Sequence, residues 1–434
     1  MTKKYDAIIV GAGIIGCCIG FELAKKGYKT LNVDKLPEAG QGSTSGSCAI
    51  IRFHYSTPDG VAMAREGYYY WLDWPNHLEA PDEAGLANYI NCGCLVIKTP
   101  HNKNLVNVMR SLDELGVPYE ELDAEGILKK MPPANARSYA PARLLEDPEF
   151  GQSSGKDVTG AIYVPESGYI SDPRLSSHNA QRAAETKGGT FRFNTEVVEV
   201  RKRQGRVCGI TLKGGEQIDA PIVINVAGPH SFLINRMADV EKEMNIKTRA
   251  LRQEVCHVPS PPGFDYQKEG MLISDGDVGC YSRPEVGNHI LIGSEDPACD
   301  RLEWVDPDSY GKDLTSQWKT QVMRVAQRIQ SLEIPNQMKG LVDLYDASDD
   351  WIPIYDKSAL PGFYMAVGTS GNQYKNAPVV GVLMAELIEK VEAGQNHDQD
   401  PVRFRMKHTG RTCNIGFFSR LRKINPDSSY SVIG

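Results

Sequence analysis

The 434-residue sequence lacks the signatures of several common classes of protein. No run of 18 or more apolar residues occurs, so no segment is long enough to span a membrane. The cysteines are scattered, without CxxC or CxxxxC spacing, which argues against disulfide, zinc and Fe–S frameworks, and no metal site is expected. A GKS or GKT sequence is also missing, which excludes a P-loop kinase. A net charge of −7 argues against nucleic acid as a partner.

The features that are present indicate a cytoplasmic protein of two domains. Hydrophobic residues make up 41% of the chain and charged residues 24%, as in ordinary globular proteins. The length exceeds what a single core usually supports. Scattered cysteines are typical of a reduced compartment. The apolar residues 7–20 are interrupted by glycines and followed by Glu22, so they predict a strand entering a helix rather than a secretion signal.

The first 34 residues predict a βαβ unit with a dinucleotide-binding motif. Residues 5–10 and 30–34 are β-rich, and residues 14–26 have a helical pattern that Gly27 closes. Between them, GAGIIG satisfies GxGxxG, whose glycines permit a tight turn while the helix N-terminus attracts a pyrophosphate. Asp34 closes the second strand, where a carboxylate can hold a ribose hydroxyl. The residues predicted to bind the dinucleotide here are Gly11, Gly13, Ile14, Ile15, Gly16, Asp34 and Lys35.

FAD and NAD both fit this motif, and two absences favour FAD. The sequence has no second GxGxxG for a nicotinamide domain and no redox-active CxxxxC. A second strand, glycine turn and helix, at residues 362–391, offers a remote grip for a long dinucleotide. FAD is therefore the predicted cofactor.

The remaining chain alternates between two compositions. Residues 57–130 are aromatic, helical and loop-rich; residues 191–228 predict a meander of short strands, and residues 250–305 are again strand-rich. We therefore predict an α/β protein: a Rossmann-type FAD-binding domain with an interleaved substrate domain built on an antiparallel sheet (α+β). The predicted ranges are 1–56, 150–232 and 335–392 for the FAD-binding domain, 57–149 and 233–334 for the substrate domain, and 393–434 for a C-terminal basic extension.

The extension carries seven Lys or Arg residues and no acid between Val402 and Lys423. Phe404, Phe417 and Phe418 lie among them. Such a stretch could contact RNA, anionic lipid or an acidic electron acceptor. The favoured interpretation is a terminal segment that packs through its phenylalanines while its charges stay solvated.

Six segments, taken in order, resemble the FAD-dependent D-amino-acid oxidase-like flavoproteins, in particular their sarcosine oxidase and dimethylglycine dehydrogenase branch. The resemblance covers about residues 4–392, and the joint order is more specific than any one segment. The segments are KYDAIIVGAGIIG, GSTSGSCAIIR, VINVAGPHS (223–231), YSRPEVGNHILIG (281–293), KGLVDLYDASDDWIPI (339–354) and GTSGNQYKNAPVVG (368–381). Beyond the N-terminal motif, the FAD-binding residues that we predict are Gly42, Ser43, Thr44, Ser45, Val197, Ala227, Gly228, Gly368, Ser370, Gly371, Asn372, Gln373, Tyr374 and Lys375.

The resemblance also implies a substrate clamp. An arginine matching Arg52 and a lysine matching Lys375 hold the substrate carboxylate in monomeric sarcosine oxidases, which would explain an arginine just past a buried-looking segment. The alternative is that Arg52 pairs with a structural Asp or Glu. Tyr281 and Arg283 alternate on one strand and are expected near the site, Arg283 either as a third cation for the substrate or as a salt bridge. His54 either polarises the substrate or, as we favour, is a hydrogen-bonded structural histidine.

Two departures from the family pattern modify these expectations. Asp343 stands where monomeric sarcosine oxidases attach FAD to a cysteine, so the FAD is predicted to be non-covalent. Leu291 stands where they carry an oxygen-activating lysine, so a dehydrogenase that passes electrons to a quinone or flavoprotein is favoured over an oxidase that uses O2.

The function that follows is oxidation of a small carboxylate-bearing secondary or tertiary amine or amino acid, such as sarcosine or another N-methyl amino acid. Its carboxylate docks on Arg52 and Lys375, its neutral amine assists transfer of a hydride to flavin N5, and water hydrolyses the imine. Two alternatives stay open: an FAD-dependent dehydrogenase of D-amino acids, opines or glycerol 3-phosphate, and a non-catalytic flavin-binding subunit of an electron-transfer complex.

Overall fold

The computed structural model describes residues 4–433, which form ten α-helices and five β-sheets. Numbered along the chain, the helices are α1 (Ile14–Lys25), α2 (Pro58–Leu72), α3 (Trp74–Leu78), α4 (Val106–Leu115), α5 (Ala124–Lys130), α6 (Pro173–Thr186), α7 (Ser231–Met237), α8 (Tyr266–Glu269), α9 (Ser316–Arg328) and α10 (Ala377–Glu392). Asp172 caps α6 through a hydrogen bond from the Leu175 amide (2.9 Å), and Pro173 lies in its first turn, an arrangement typical of helix N-termini.

The first sheet confirms the predicted nucleotide-binding unit. Its strands are β1 (Ala7–Val10), β2 (Thr30–Val33), β9 (Thr190–Arg192), β13 (Ile222–Asn225), β20 (Ile354–Lys357) and β21 (Phe363–Val367). They run in the order β20-β21-β13-β1-β2-β9, and all neighbours are parallel except β20 and β21. Helix α1 connects β1 to β2, which gives the α/β Rossmann-type arrangement that the glycine motif indicates.

The second large sheet has nine strands. They are β5 (Cys94–Lys98), β6 (Glu120–Leu122), β7 (Gly160–Val164), β14 (Thr248–Pro259), β15 (Leu272–Asp275), β16 (Cys280–Glu285), β17 (His289–Ser294), β18 (Glu303–Trp304) and β19 (Gly340–Ser348). The order is β18-β14-β17-β16-β15-β5-β7-β6, and β19 also pairs with β14. The sheet is antiparallel, as expected, except that β5 and β15 are parallel.

Three smaller sheets complete the fold. They are the meander β10 (Val197–Arg203), β11 (Arg206–Leu212) and β12 (Gln217–Asp219); the trio β3 (Ile50–Ile51), β4 (Tyr89–Asn91) and β8 (Gly168–Ile170); and the hairpin β22 (Arg403–Arg405) and β23 (Thr412–Asn414). The predicted meander therefore exists, but its first and last strands, β9 and β13, join the first sheet instead.

Both faces of the first sheet are covered, which explains why β1 is apolar throughout. Ala7 and Ile9 pack with α1, α6 and α10 in one core cluster, whereas Ile8 and Val10 pack with the meander in another. Successive side chains of a strand point to opposite faces, so a strand buried on both sides has no polar alternation. This burial places the glycine turn after β1 on a rigid support.

Sheet membership differs from the predicted residue ranges at two places. Strands β7 and β19 lie in ranges predicted for the FAD-binding domain, yet they pair with β5 and β14 of the nine-stranded sheet. Residues 57–130 contain strands β4, β5 and β6 in addition to helices. These pairings join segments far apart in sequence, so local composition does not reveal them. The division into two domains stays a prediction.

The C-terminal segment packs against the body of the protein. Phe404 and Phe418 are buried, as predicted. The expectation of solvated charges is wrong for Arg420, which is 1% exposed and forms ion pairs with Asp356 (3.0 Å) and Asp398 (2.9 Å). A buried guanidinium requires such neutralising partners, and they anchor the segment to β20.

Within residues 4–433 no helix combines the length and the apolar character that a membrane crossing requires. The ten cysteines are all unbridged, in agreement with their scattered spacing.

Candidate active site

A cavity of about 880 Å³ is lined by residues from both large sheets. One end lies beyond the carboxyl ends of β1, β2 and β13, the edge where open α/β sheets bind ligands. Most of the residues predicted from the sequence line it: Gly11, Gly13, Ile14, Ile15, Gly16, Asp34, Lys35, Gly42, Ser43, Thr44, Arg52, His54, Val197, Ala227, Gly228, Tyr281, Gly371, Asn372, Gln373, Tyr374 and Lys375. Ser45, Arg283, Gly368 and Ser370 are not among the lining residues.

The glycine turn after β1 brings backbone close to the cavity. Gly11 has φ +120, and a Cβ there would overlap the carbonyl oxygen of Val226. A Cβ at Gly16 would overlap the carbonyl oxygen of Gly11, so both positions require glycine. Gly13 offers no capping side chain and the first turn of α1 has no acidic residue. Apart from the Ile14 amide, which Thr44 binds, the amide groups and the positive end of the helix dipole are left for a ligand in the cavity.

Asp34 lies at the end of β2 and supports this turn. Its carboxylate accepts hydrogen bonds from the backbone amides of Ala12 (2.7 Å) and Leu36 (2.9 Å). Burial raises its pKa, while these two amides oppose the increase. The carboxylate therefore braces the glycine turn and also reaches the cavity, where a ribose hydroxyl is expected.

The serine- and glycine-rich loop at residues 42–47 connects the two ends of the cavity. Thr44 accepts a hydrogen bond from the Ile14 amide (3.2 Å), and Ser43 donates one to the carbonyl of Leu344 (2.7 Å) on β19. Ser45 instead bonds within its own loop, to the carbonyl of Gly42 (2.8 Å). Ser43 and Thr44 thus attach the loop to α1 and to the nine-stranded sheet, whereas Ser45 shapes the loop from outside.

The turn before α10 lies beside the same cavity. Gly368 and Ser370 shape the turn, and the Gly368 amide donates a hydrogen bond to Asp346 (2.7 Å). Burial raises the pKa of this carboxyl group to about 7. Asn376 precedes α10, but its side chain does not cap the helix and donates to Gln373 instead (2.7 Å). The Asn376 amide therefore stabilises the turn and not the helix terminus.

Arg52 and Lys375 come together around one tyrosine. Lys375 donates hydrogen bonds to the Tyr55 hydroxyl (2.9 Å) and to the carbonyl of Asn372 (2.8 Å). The Arg52 guanidinium lies over the Tyr55 ring, 4.5 Å from its centroid. Burial and the charge of Arg52 lower the pKa of Lys375 well below its usual value. Two chain segments more than 300 residues apart in sequence thus place a guanidinium and an amine in one cavity, where an anionic ligand would favour the protonated form of Lys375.

Within residues 4–433 no Asp or Glu side chain forms an ion pair with Arg52 or Lys375. The alternative of a structural acid beside Arg52 is therefore wrong. The guanidinium instead donates to three backbone carbonyls, those of His54, Val432 and Ile433. Carbonyl dipoles satisfy its hydrogen bonds but leave its positive charge without a counterion, which favours an anionic ligand.

The C-terminal segment reaches this end of the cavity. The carbonyls of Val432 and Ile433 lie 2.7 Å and 3.0 Å from Nη2 of Arg52, and both residues line the cavity. Val432 packs with Leu251 and Trp351, and the Ser428 hydroxyl donates to the carbonyl of Asp350 (2.6 Å). The segment is therefore anchored where it meets Arg52.

Of the remaining predicted residues, Tyr281 and His54 line the cavity and Arg283 does not. Tyr281 lines the cavity, with its hydroxyl 3.6 Å from Sγ of Cys48. Arg283 instead forms a salt bridge with Glu285 (2.8 Å), so of its two predicted roles the salt bridge is the one observed. His54 is buried and lines the cavity, and neither ring nitrogen has a hydrogen-bond partner among the described residues. The favoured interpretation of His54 as a hydrogen-bonded structural residue is therefore wrong.

A protein-family model described as "FAD dependent oxidoreductase" (DAO) matches residues 6–387. The chain belongs to this family. The DAO family is FAD-dependent, so the predicted cofactor and the prediction of an oxidoreductase are confirmed.

Curated members of the DAO family resemble the chain over most of its length. A glycine oxidase of Geobacillus kaustophilus is 22% identical and covers 90% of this chain and 95% of its own. The sarcosine oxidase subunit beta of Rhodobacter capsulatus is 25% identical, with 89% and 86% covered. Among solved structures, glycine oxidase from Geobacillus kaustophilus superposes with a TM-score of 0.73 at 20% identity, covering 98% and 100%. L-proline dehydrogenase from P. horikoshii gives 0.74 at 18% identity, covering 97% and 98%. These structures confirm the predicted fold class.

The residues of this DAO-family cavity fit FAD. The uncapped start of α1 suits a pyrophosphate, and Asp34 suits a ribose. Gly13 and Thr44 both line the cavity, and a Cβ at Gly13 would crowd the Thr44 hydroxyl at 3.1 Å. At the far end, Gln373, Tyr374 and Lys375, which lie just before the 16-residue helix α10, line the same cavity.

Two residues that matter here, Tyr55 and the lining residue Glu295, were not predicted as site residues. Tyr55 follows Arg52 by three positions, but its link to Lys375 depends on tertiary structure. Glu295 follows β17 and is buried in the cavity wall. A polar residue at the end of a strand is an everyday feature of sequences, so only the fold reveals that this carboxyl group faces the cavity.

Proposed function

We propose that this DAO-family chain oxidises a small carboxylate-bearing secondary or tertiary amine, with sarcosine and other N-methyl amino acids as the substrate class. The observation that carries the proposal is the pair of buried cations, Arg52 and Lys375, which share Tyr55 and have no acidic partner among the described residues. The names of relatives, glycine oxidase and sarcosine oxidase, support an amino-acid substrate.

The proposed roles of the residues follow from their chemistry. Gly11, Gly13 and the start of α1 hold the pyrophosphate of FAD, Asp34 holds a ribose, and the turn before α10 holds the flavin end. Bound FAD supplies an acceptor for a hydride. Arg52 presents its guanidinium fork to the substrate carboxylate, and Lys375 adds a second positive charge. Together they orient the substrate and exclude water from its reacting carbon.

The flavin of the purified protein is expected to bleach anaerobically with sarcosine or another N-methyl amino acid. A matched N-methylamine without a carboxylate should react at least about 100-fold less efficiently, because it cannot use the cations. Stopped-flow absorbance measures both rates. D-Amino acids, opines and glycerol 3-phosphate complete the panel. If glycerol 3-phosphate bleaches the flavin and no amine does, the glycerol 3-phosphate alternative replaces the proposal. If no compound of the panel bleaches the flavin, a non-catalytic subunit is favoured.

The FAD is proposed to be non-covalent and the electron acceptor to be a quinone or flavoprotein. Asp343, at the position where a thioether would form, packs against Gly46, where a Cβ would overlap its carboxylate. Leu291 brings no positive charge for O2 activation and does not line the cavity. Acid precipitation tests the first point, because it releases non-covalent FAD. Reoxidation in air compared with reoxidation by a soluble quinone tests the second.

Shortening the chain after Ser431 is expected to lower KM for the carboxylate substrate about tenfold. A substrate carboxylate must displace the Val432 and Ile433 carbonyls from Nη2 of Arg52, and two such hydrogen bonds contribute about 1–3 kcal/mol together. Steady-state kinetics measures the change. Val432→Ala keeps both carbonyls and serves as the control, with a smaller effect expected. A higher KM after truncation would mean that substrate packs against this segment instead of displacing it.

A further inference from the structure

Glu295 is a buried acid that the proposed mechanism has not used. It lies just after β17, is 8% exposed and lines the cavity together with Arg52 and His54. Its carboxyl group is held in place by the Ser274 hydroxyl, which donates a hydrogen bond of 2.5 Å to Oε1. In residues 4–433 no Lys or Arg comes within ion-pair distance of it. The cavity wall therefore holds a buried carboxyl group, fixed by Ser274, that has no cation of its own among the described residues.

The charges around Glu295 come from several elements. The charge of Arg52, the residue after β3, lowers the pKa of Glu295, whereas the charge of Asp275 on β15 raises it. The thiols of Cys94 on β5 and Cys280 on β16 are also close enough to interact with its charge.

Burial is the largest influence and raises the pKa of Glu295 to about 8. Asp275 forms an ion pair with Arg328, whose Nε lies 2.7 Å from it, and Arg328 also pairs with Asp277 (3.0 Å). The adjacent Asp296 accepts a hydrogen bond from Gln253 (2.8 Å) and does not line the cavity. Burial raises the pKa of Asp296 as well, to about 7, so what distinguishes Glu295 within this cluster is that it lines the cavity.

We propose that Glu295 receives the amine end of the substrate, pairing as a carboxylate with the substrate ammonium and taking the proton that must leave before the hydride does. In this step one N–H bond breaks and one O–H bond forms on Glu295, so the amine becomes neutral and its lone pair is available. No oxidant takes part. The inference rests on the proposed function and assigns a catalytic residue to it.

The arrangement complements a zwitterion. Arg52 and Lys375 present positive charge to a carboxylate, and Glu295 lies in the same cavity to meet an ammonium group. A phosphate monoester carries two negative charges and no ammonium, so it would meet a carboxyl group with nothing to neutralise it. An acid with a pKa near the working pH can both take a proton and release it, as proton transfer in catalysis requires. The cavity therefore favours amino acids over glycerol 3-phosphate.

The first test is the pH dependence of anaerobic flavin bleaching by the best substrate of the panel. In the wild type the rate constant is expected to rise with pH and to level off above about pH 8, as Glu295 loses its proton. Glu295→Gln should lose this inflection and be slower by about 10²–10⁴-fold at the plateau. Ser274→Ala removes a hydrogen bond that lowers the pKa, so its inflection should move to higher pH. An unchanged inflection in Glu295→Gln would overturn the proposal.

The second test needs no turnover. Infrared titration of the FAD-loaded protein should show the carbonyl band of a protonated carboxylic acid that disappears around pH 8 and is missing in Glu295→Gln, whereas the bands of Asp296 and Asp346, each with a pKa raised by burial to about 7, should disappear at lower pH in both proteins. Persistence of that band in the variant would contradict the assignment. Far-ultraviolet circular dichroism and FAD content, unchanged between the two proteins, establish that both are folded and loaded.

Ligand binding separates this inference from the function on which it rests. Perturbation of the flavin spectrum reports binding of two non-reactive probes, propionate and the zwitterion N,N,N-trimethylglycine. Propionate should bind wild type and Glu295→Gln equally, whereas the zwitterion should bind the variant at least about tenfold more weakly. Unchanged binding of both probes by Glu295→Gln would overturn the role of Glu295 and leave the carboxylate site intact. Failure of both probes to bind wild type would instead overturn the proposed function.

Discussion

Arg52→Gln is expected to reduce kcat/KM for the carboxylate-bearing amine by about 10²–10³-fold while FAD stays bound. Removing one partner of a buried, hydrogen-bonded charge pair costs about 2–5 kcal/mol, and the substrate carboxylate is the proposed partner here. Glutamine keeps polar contacts for the carbonyls of Val432 and Ile433 but removes the charge. Most of the loss should appear in KM, because both ground state and transition state carry the carboxylate. Stopped-flow bleaching gives the binding and rate terms separately.

The matched control is Arg283→Gln. Arg283 is as buried as Arg52, at 3% against 7% exposed, but it pairs with Glu285 and does not line the cavity. Its replacement is expected to lower the melting temperature without changing KM per FAD-loaded molecule. Equal KM effects from the two variants would show that Arg52 acts only through general stability. Loss of FAD in Arg52→Gln would show that this residue holds the cofactor instead of the substrate.

The parts of the fold that were predictable depend on local rules. The GxGxxG turn needs a positive φ at Gly11 and no side chain at Gly16, and these demands fall within six residues. The cap of α6 by Asp172 likewise involves neighbours in sequence. Such constraints can be recognised without knowing what lies across the sheet.

The parts that were missed depend on contacts between distant segments. Strand β19 has the composition of a strand in either sheet, and only its register with β14, where Leu251 faces Tyr345, assigns it. The contact of Arg52 with Val432 joins residues 380 positions apart. Arg52 and Lys375 were predictable from the resemblance to known flavoproteins, because an arginine and a lysine stand at these positions of the family motif. The resemblance did not lead to Glu295, whose importance arises from burial and from the cavity that it faces.

The same distinction between local and tertiary demands predicts the effect of Gly11→Ala. Gly11 has φ +120, and the added Cβ would overlap the carbonyl oxygen of Val226. The glycine turn and the residue that follows β13 therefore cannot both keep their positions. Backbone strain of about 1–3 kcal/mol adds to an overpacking cost of about 1–3 kcal/mol. This turn is also where the pyrophosphate of FAD is expected, so the displaced backbone should weaken FAD binding by about 100-fold or more, which is about 2.7 kcal/mol.

Gly27→Ala is the control that isolates the steric part of this effect. Gly27 also has a positive φ, +88, but no atom lies within 4 Å of its hypothetical Cβ, and it closes α1 at the end remote from the cavity. Only the conformational cost of about 1–2 kcal/mol applies there, so FAD should remain bound and the melting temperature should fall by a few degrees. FAD titration of the apoproteins, followed by flavin fluorescence, compares the two variants, and circular dichroism verifies that each is folded. Equal FAD affinities would contradict a cavity in which the backbone at Gly11 approaches the cofactor. A selective loss in Gly11→Ala supports it, because both substitutions put a methyl group at a positive φ and only the one at Gly11 meets backbone beside the cavity.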